Sequence, residues 1–142
     1  MSGLNAAINA SASALNAERV RIEVAVSNIA NAESTRGADG KPYRRRDVVL
    51  AAEPMESFDG ALSNANAMGV RVAGVVADDA PFQRRYEPSH PDANADGFVE
   101  LPNVDSSQEM VDMLGAARAY QANLAAITVI RDMIARALEL GR

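Results

Sequence analysis

The sequence predicts a mainly α protein with a small β part: long N- and C-terminal helices paired as an antiparallel coiled coil, with a β-hairpin and loop-rich segment between them. Three observations predict it. Mostly apolar residues recur at steps of three and four from Leu4 to Ile29 and again from Met110 to Leu138, and the stretch between them changes to strand-like alternation. On this division residues 1–35 and 106–142 form a helical coiled-coil core, and residues 36–105 form the middle segment.

The first seam runs Leu4, Ile8, Ser11, Leu15, Glu18, Ile22, Ala25 and Ile29, and neither Pro nor Gly interrupts residues 4–35, so the helix is expected across that span. Its first seventeen residues carry no charge, and off the seam stand Asn5, Asn9, Asn16, Ala10, Ser13 and Ala14. A solvated helix face carries Lys and Glu, whereas small uncharged residues let another backbone approach closely. This face reads as an interface.

In the middle, "GVRVAGVVA" places Val70, Val72 and Val76 in alternation, "DDAP" supplies a turn, and "FQRRYEP" alternates Phe82, Arg84 and Tyr86, so these two runs are expected to form a hairpin. "YRRRDVVLAA" at 43–52 and "GFVEL" at 97–101 are candidate further strands, and 53–69 has the aperiodic composition of a surface loop.

The last helix opens at "DSSQEM", where Asp105 or Ser106 can cap and Gln108 or Glu109 stands three residues on. Its seam is Met110, Met113, Ala117, Tyr120, Leu124, Ile127, Arg131, Ile134 and Leu138, and Gly141 is placed to close it. Residues 119–130 carry no charge, and Leu124, Ile127, Val129 and Ile130 spread apolar surface beyond one stripe. A helix over 106–140 extends about 50 Å, against a radius of gyration of about 14–15 Å for a compact chain of this length. The pair is therefore expected to protrude, and its apolar flanks to need other subunits over them.

Several chemistries are disfavoured. The chain has no Cys, so thiolate catalysis and disulfides are absent. The acidic excess lies in 43–105, between two neutral ends, which gives nucleic acid no basic face. No basic residue precedes Arg19 and no unbroken apolar core follows, so no cleaved leader is expected, and no run reaches a membrane span. Asp92, Asn94 and Asp96 resemble a calcium loop, but the closing position holds Asn103 rather than a bidentate Glu, and Asp, Asn and Gly make turns readily. His90 is the only histidine, no nucleophile elbow is present, and Arg44–Arg46 and Arg84–Arg85 fit ion pairs or subunit contacts better than anion sites. No catalytic residue, metal, cofactor or small-molecule substrate is expected.

"SNIANAESTRGADGKPYRRRDVVL" at 27–50 and "YEPSHPDANADGFVELPNVDSSQEMVDMLGAARAYQAN" at 86–123 resemble the proximal-rod branch of the flagellar axial family of rod and hook proteins. The carrying residues are Asn28, Ile29, Ala30 and Asn31 at the end of the first helix, then Asn103, Val104, Asp105, Glu109, Tyr120 and Asn123. Ser34 and Thr35 follow where the family has Thr soon after the Asn-Ala pair. The resemblance implies an antiparallel coil stacked as the inner layer of a helical tube that transmits torque and lines the export channel. It implies a periplasmic rod in the basal body, export without a cleaved signal peptide, and homo- and hetero-oligomeric assembly. The implied partners are other rod proteins, the export-gate rod adaptor protein and the flagellar type III export apparatus. Subunit contacts would then fall on Leu4, Ile8, Leu15, Ile22, Ile29, Met110, Met113, Tyr120, Leu124, Ile127, Ile134 and Leu138. A generic coiled-coil oligomerisation adaptor is the alternative; it predicts small discrete oligomers, where a rod subunit alone is expected to be monomeric with poorly ordered termini.

Overall fold

The computed structural model describes residues 2–54 and 68–140, as α1 (Ser2–Ala30), β1 (Arg46–Pro54), β2 (Met68–Ala77), β3 (Gln83–Tyr86), β4 (Phe98–Leu101) and α2 (Ser106–Leu140). It is mainly helical, with the two helices packed along each other and a small antiparallel β part between them in sequence. The C-terminal end of α1 meets the N-terminal end of α2 through Asn28 and Glu109, so the pair is antiparallel.

Helix α1 stops at Ala30 rather than running to 35. Asn31 takes over the last turn: its amide donates to Ser27 O and Asn28 O at 3.2 Å, and its side-chain Nδ2 donates to Ser27 O at 2.8 Å. An Asn that occupies orphan carbonyls ends a helix without Gly or Pro. The exposed face of α1 is a single stripe of Asn5, Asn9, Asn16, Arg19, Glu23, Val26 and Ala30. The rest is covered, by α2 on one side and by β1 and β2 on another, where Val70 N donates to Ser13 Oγ at 3.0 Å. The pair therefore does not stand clear of the middle segment, as its length alone suggested. The middle folds back along α1.

The strands pair differently from the hairpin expected of 70–86. β2 pairs with β1, from Arg46 opposite Ala77 to Pro54 opposite Met68, with a bulge between Val49 and Leu50. β3 pairs with β4, from Gln83 opposite Leu101 to Tyr86 opposite Phe98. "DDAP" thus joins two sheets instead of turning one hairpin. Its carbonyls are taken up from elsewhere: Arg44 Nη1 and Asn103 Nδ2 both donate to Asp78 O and Ala80 O. Glu53, Pro54, Met68 and Gly69 belong to the strands, and the remainder of the expected 53–69 loop lies outside the described residues, as does Gly141.

β4 alternates inward and outward, with Val99 and Leu101 buried, and Pro102 and Val104 continue the buried line into α2. Asp105 is the cap of α2, its Oδ1 accepting from Ser107 N at 2.9 Å and Gln108 N at 3.3 Å. The residues read against calcium are engaged otherwise. Asp92 accepts from Thr35 Oγ1 at 2.9 Å and pairs with Arg36 at 3.3 Å, while Asn94 Oδ1 accepts from Asp96 N and Phe98 N. Among the described residues no three metal-capable side chains cluster.

Gly97 completes this loop at φ 80°, and a Cβ there would meet Tyr86 Cε2 at 2.9 Å and Pro88 Cβ at 3.1 Å. Gly97→Ala is expected to lower stability by about 2 kcal/mol, from left-handed backbone strain and the clash together. A urea titration checks it, with a lowered midpoint at unchanged slope.

Candidate functional site

Two features of the molecule stand out: a buried polar knot at the helix junction, and the faces of α1 and α2 that none of the other described residues covers.

The knot centres on Asn28, fully buried, and Glu109, 2% exposed. Asn28 Nδ2 donates to Arg46 O at 2.8 Å and to Glu109 Oε2 at 2.9 Å. Its Oδ1 accepts from Tyr43 Oη at 2.9 Å and from Arg46 N at 3.0 Å. Every hydrogen-bonding position of the amide is filled. By taking both backbone groups of Arg46, Asn28 behaves as a strand partner for the first residue of β1. Glu109 receives a second bond from Arg45 Nε at 2.6 Å, and Arg45 N donates to Asn103 Oδ1 at 2.8 Å. The Arg45 guanidinium also faces Asp47 and Asp78 at 3.5 Å and Asp112 at 3.9 Å.

Burial works to lower the Arg45 pKa, but the hydrogen bond and charge of Glu109, with the charges of Asp47 and Asp78, outweigh it and raise the value above the ordinary arginine range. A raised folded-state pKa means stabilisation that is full below the unfolded value and lost only as pH rises past it. The Arg45 cation therefore keeps its contribution throughout the neutral range. Beside the knot opens a cleft of ≈ 330 Å³, walled by Arg21, Arg46, Asp47, Gln108 and Asp112. Arg21, Arg45 and Arg46 stand against Asp47, Glu109 and Asp112 in its lining, so its formal charges balance. The knot is a joint, linking α1, β1, the 78–80 turn and α2.

Along α2 one line of covered positions runs Glu109, Met113, Ala116, Tyr120, Asn123, Ile127, Ile130 and Ile134, in steps of four and three, with Asp112, Ala117, Ala119 and Ala126 half-buried beside it. The seam read from sequence differs in phase. Met113, Tyr120, Ile127 and Ile134 lie on the covered side, whereas Met110, Leu124, Arg131 and Leu138 are exposed and Ala117 is half-buried. The physical reason is that α2 is apolar on more than one face, so periodicity alone finds two seams. Asn123 occupies the covered one by donating to its own Ala119 O at 2.9 Å. On α1, Leu4, Ile8, Leu15, Ile22 and Ile29 are all half-buried.

What remains uncovered is apolar to an unusual degree for a helix in water. Met110, Val111, Leu114, Leu124, Val129, Met133, Leu138 and Leu140 are all large and exposed on α2. The sequence reading missed Tyr43 and Ala116, placed Arg45 only within a run suited to ion pairs or subunit contacts, and placed Ile130 only in the apolar surface beyond the main stripe. The "YRRR" run and the second heptad phase through Ala116 and Ile130 were the signals that pointed to them.

Comparison with known proteins agrees with this geometry. Residues 8–38, which contain Asn28 and Asn31, match a family model described as flagella basal body rod protein. Residues 95–140, which contain Asn103, Glu109 and α2, match one described as flagellar basal body rod FlgEFG protein C-terminal. The flagellar basal-body rod protein FlgC of Bacillus subtilis is 43% identical over 145 residues, covering 95% of this chain and 96% of that protein. The chain belongs to the FlgC family of flagellar basal-body rod proteins. FlgC of Salmonella typhimurium is also 43% identical, over 92% of both chains, and FlgC of Borreliella burgdorferi is 39% identical over 97% of both. FlgC-family chains are structural rod subunits of the basal body, and the joint and bare helix faces described above are features of such a subunit.

Proposed function

We propose that the chain is a proximal-rod subunit whose antiparallel helix pair stacks with those of neighbouring rod subunits as the inner layer of a helical tube, lining the export channel and carrying motor torque. The observation that carries this reading is the pair of bare faces, apolar on α2 and lined by Asn5, Asn9 and Asn16 on α1. Apolar surface of that extent marks a face that another surface covers, because burying it removes apolar area from water. Uncharged Asn side chains add hydrogen bonds between backbones that approach closely. Torque loads every lateral contact, so a tube wall needs wide, uncharged, close-packed faces rather than a few ion pairs, each worth little at a surface.

The reading continues outward from the site. The subunit passes through the flagellar type III export apparatus, assembles in the periplasm, and meets other rod proteins and the export-gate rod adaptor protein. It performs no catalysis; its work is mechanical. Leu4, Ile8, Leu15, Ile22, Ile29, Met113, Tyr120, Ile127 and Ile134 hold the coil, and Met110, Leu124 and Leu138 contact neighbours. Deleting the gene is expected to leave cells with membrane rings but no rods, and re-expression of the chain restores both rod and swimming. Deletion cells that still build complete rods would refute the assignment.

A further inference from the structure

β3 and β4 pack mainly on each other, and a two-stranded ribbon is marginally stable by itself in water. Its base is held from two sides. Gln83 Nε2 donates to Val104 O at 3.2 Å, and Arg44 and Asn103 hold the 78–80 turn that leads into β3. Val99 and Leu101 are buried on its inner side. The loop of residues 87–97 closes the far end, beyond Tyr86 and Phe98, and is organised largely by its own bonds. Glu87 N donates to Gly97 O, Gly97 N to Asn94 O and Asn94 N to Phe98 O, each at 2.9 Å.

One side chain reaches out of that loop. Among the described residues, Asp92 makes the only hydrogen bond and the only ion pair from 87–97 to any residue outside 83–101. Both contacts go to the connection between α1 and β1. Thr35 Oγ1 donates to Asp92 Oδ2 at 2.9 Å, and Arg36 Nη2 stands 3.3 Å from Asp92 Oδ1. Asp92 N donates to His90 Nδ1 at 3.1 Å, which fixes the turn that carries the carboxylate. The Asp92 side chain is 22% exposed and that of Arg36 68%. A largely buried carboxylate makes strong charge-assisted hydrogen bonds, whereas an ion pair to an exposed arginine contributes little. The Thr35 hydroxyl is therefore the main contact.

The connection itself leads back to the knot. Tyr43 N donates to Ser34 O at 3.1 Å, and Tyr43 Oη donates to Asn28 Oδ1 at 2.9 Å. We infer that Asp92 is a clasp joining the 87–97 loop to the 31–43 connection, so that these two segments open together as one local unit while the helix pair stays closed. Local opening proceeds in contiguous cooperative units, and segments with few outside ties open most readily. The clasp makes one such unit out of two segments that are more than fifty residues apart in the chain.

Native-state hydrogen exchange of the full chain, read by mass spectrometry, tests the coupling, because each substitution is read on the opposite side of the clasp. Asp92→Ala is expected to raise exchange in peptides covering 33–42 at least tenfold. Thr35→Val, which keeps the shape and removes the hydroxyl, is expected to do the same in peptides covering 88–96. Arg36→Ala is expected to change either by less than threefold. Thr35→Val added to Asp92→Ala is expected to change exchange by less than twofold further, and peptides covering 113–127 of α2 stay within twofold of the parent throughout. Exchange that rises only in the segment carrying the substitution would overturn the proposal, as would a full additional effect of Thr35→Val in the Asp92→Ala background. An equal rise in the α2 peptides would also overturn it, by making Asp92 a general stabilising contact.

Discussion

Glu109→Ala is expected to lower the unfolding free energy by about 3 kcal/mol, the largest effect foreseen for one side chain here. The substitution leaves Asn28 Nδ2 without one of its acceptors in a site closed to water, and takes from Arg45 its closest carboxylate, the one at 2.6 Å. Removing one partner of a buried pair costs about 3–5 kcal/mol, because the desolvated remainder stays behind. The lower end applies because Asp47, Asp78 and Asp112 still face the guanidinium. Against a total stability of about 5–15 kcal/mol for a small domain, that is a large share. Urea unfolding followed by circular dichroism measures it, and a change below about 0.5 kcal/mol, ordinary for a surface site, would refute the account of the knot. The variant carrying both Asn28→Leu and Glu109→Leu is expected to lose at least as much as Glu109→Ala, because Arg46 N and O, Tyr43 Oη and Arg45 Nε all lose a partner together.

The knot also marks where sequence reasoning stops. Existence and type of both helices follow from periodicity and β2 and β3 from alternation, with β1 and β4 read only as candidate strands, since these signals are local. Strand partnership is not local. The "DDAP" turn sits between β2 and β3, and the sequence offers no sign that Arg44 and Asn103 claim its carbonyls from 23 to 36 residues away. The phase of α2 fails for a different reason. A helix that meets neighbours on several sides is apolar on several sides, and the sequence cannot say which stripe faces α1. Choosing the most apolar stripe selected Leu124 and Leu138, where the fold uses Ala116, Asn123 and Ile130. Asn28 drew attention only as a motif letter, and Glu109 as a motif letter and a capping candidate. Their chemistry becomes visible when residues 81 apart meet and both are found dry.

Leu124→Asp is expected to abolish swimming while leaving the folded chain and its export intact. Leu124 is 51% exposed on α2, off the line of covered residues, so a carboxylate there meets water in the free subunit. Substitutions at such positions change stability by about 0.5 kcal/mol or less. In a packed rod wall the same carboxylate would be buried against apolar neighbours without a partner, at a cost of several kcal/mol per subunit, repeated at every copy around the tube. Folding and assembly are therefore separated by one side chain. Urea unfolding of the purified variant reports the first, and motility agar with electron microscopy of basal bodies reports the second. Swimming at the parental rate would show that the Leu124 face meets water in the rod, and the stacking of bare helix faces would have to be abandoned. A variant that fails both assays would place Leu124 in the fold of the single chain, against the exposure seen here.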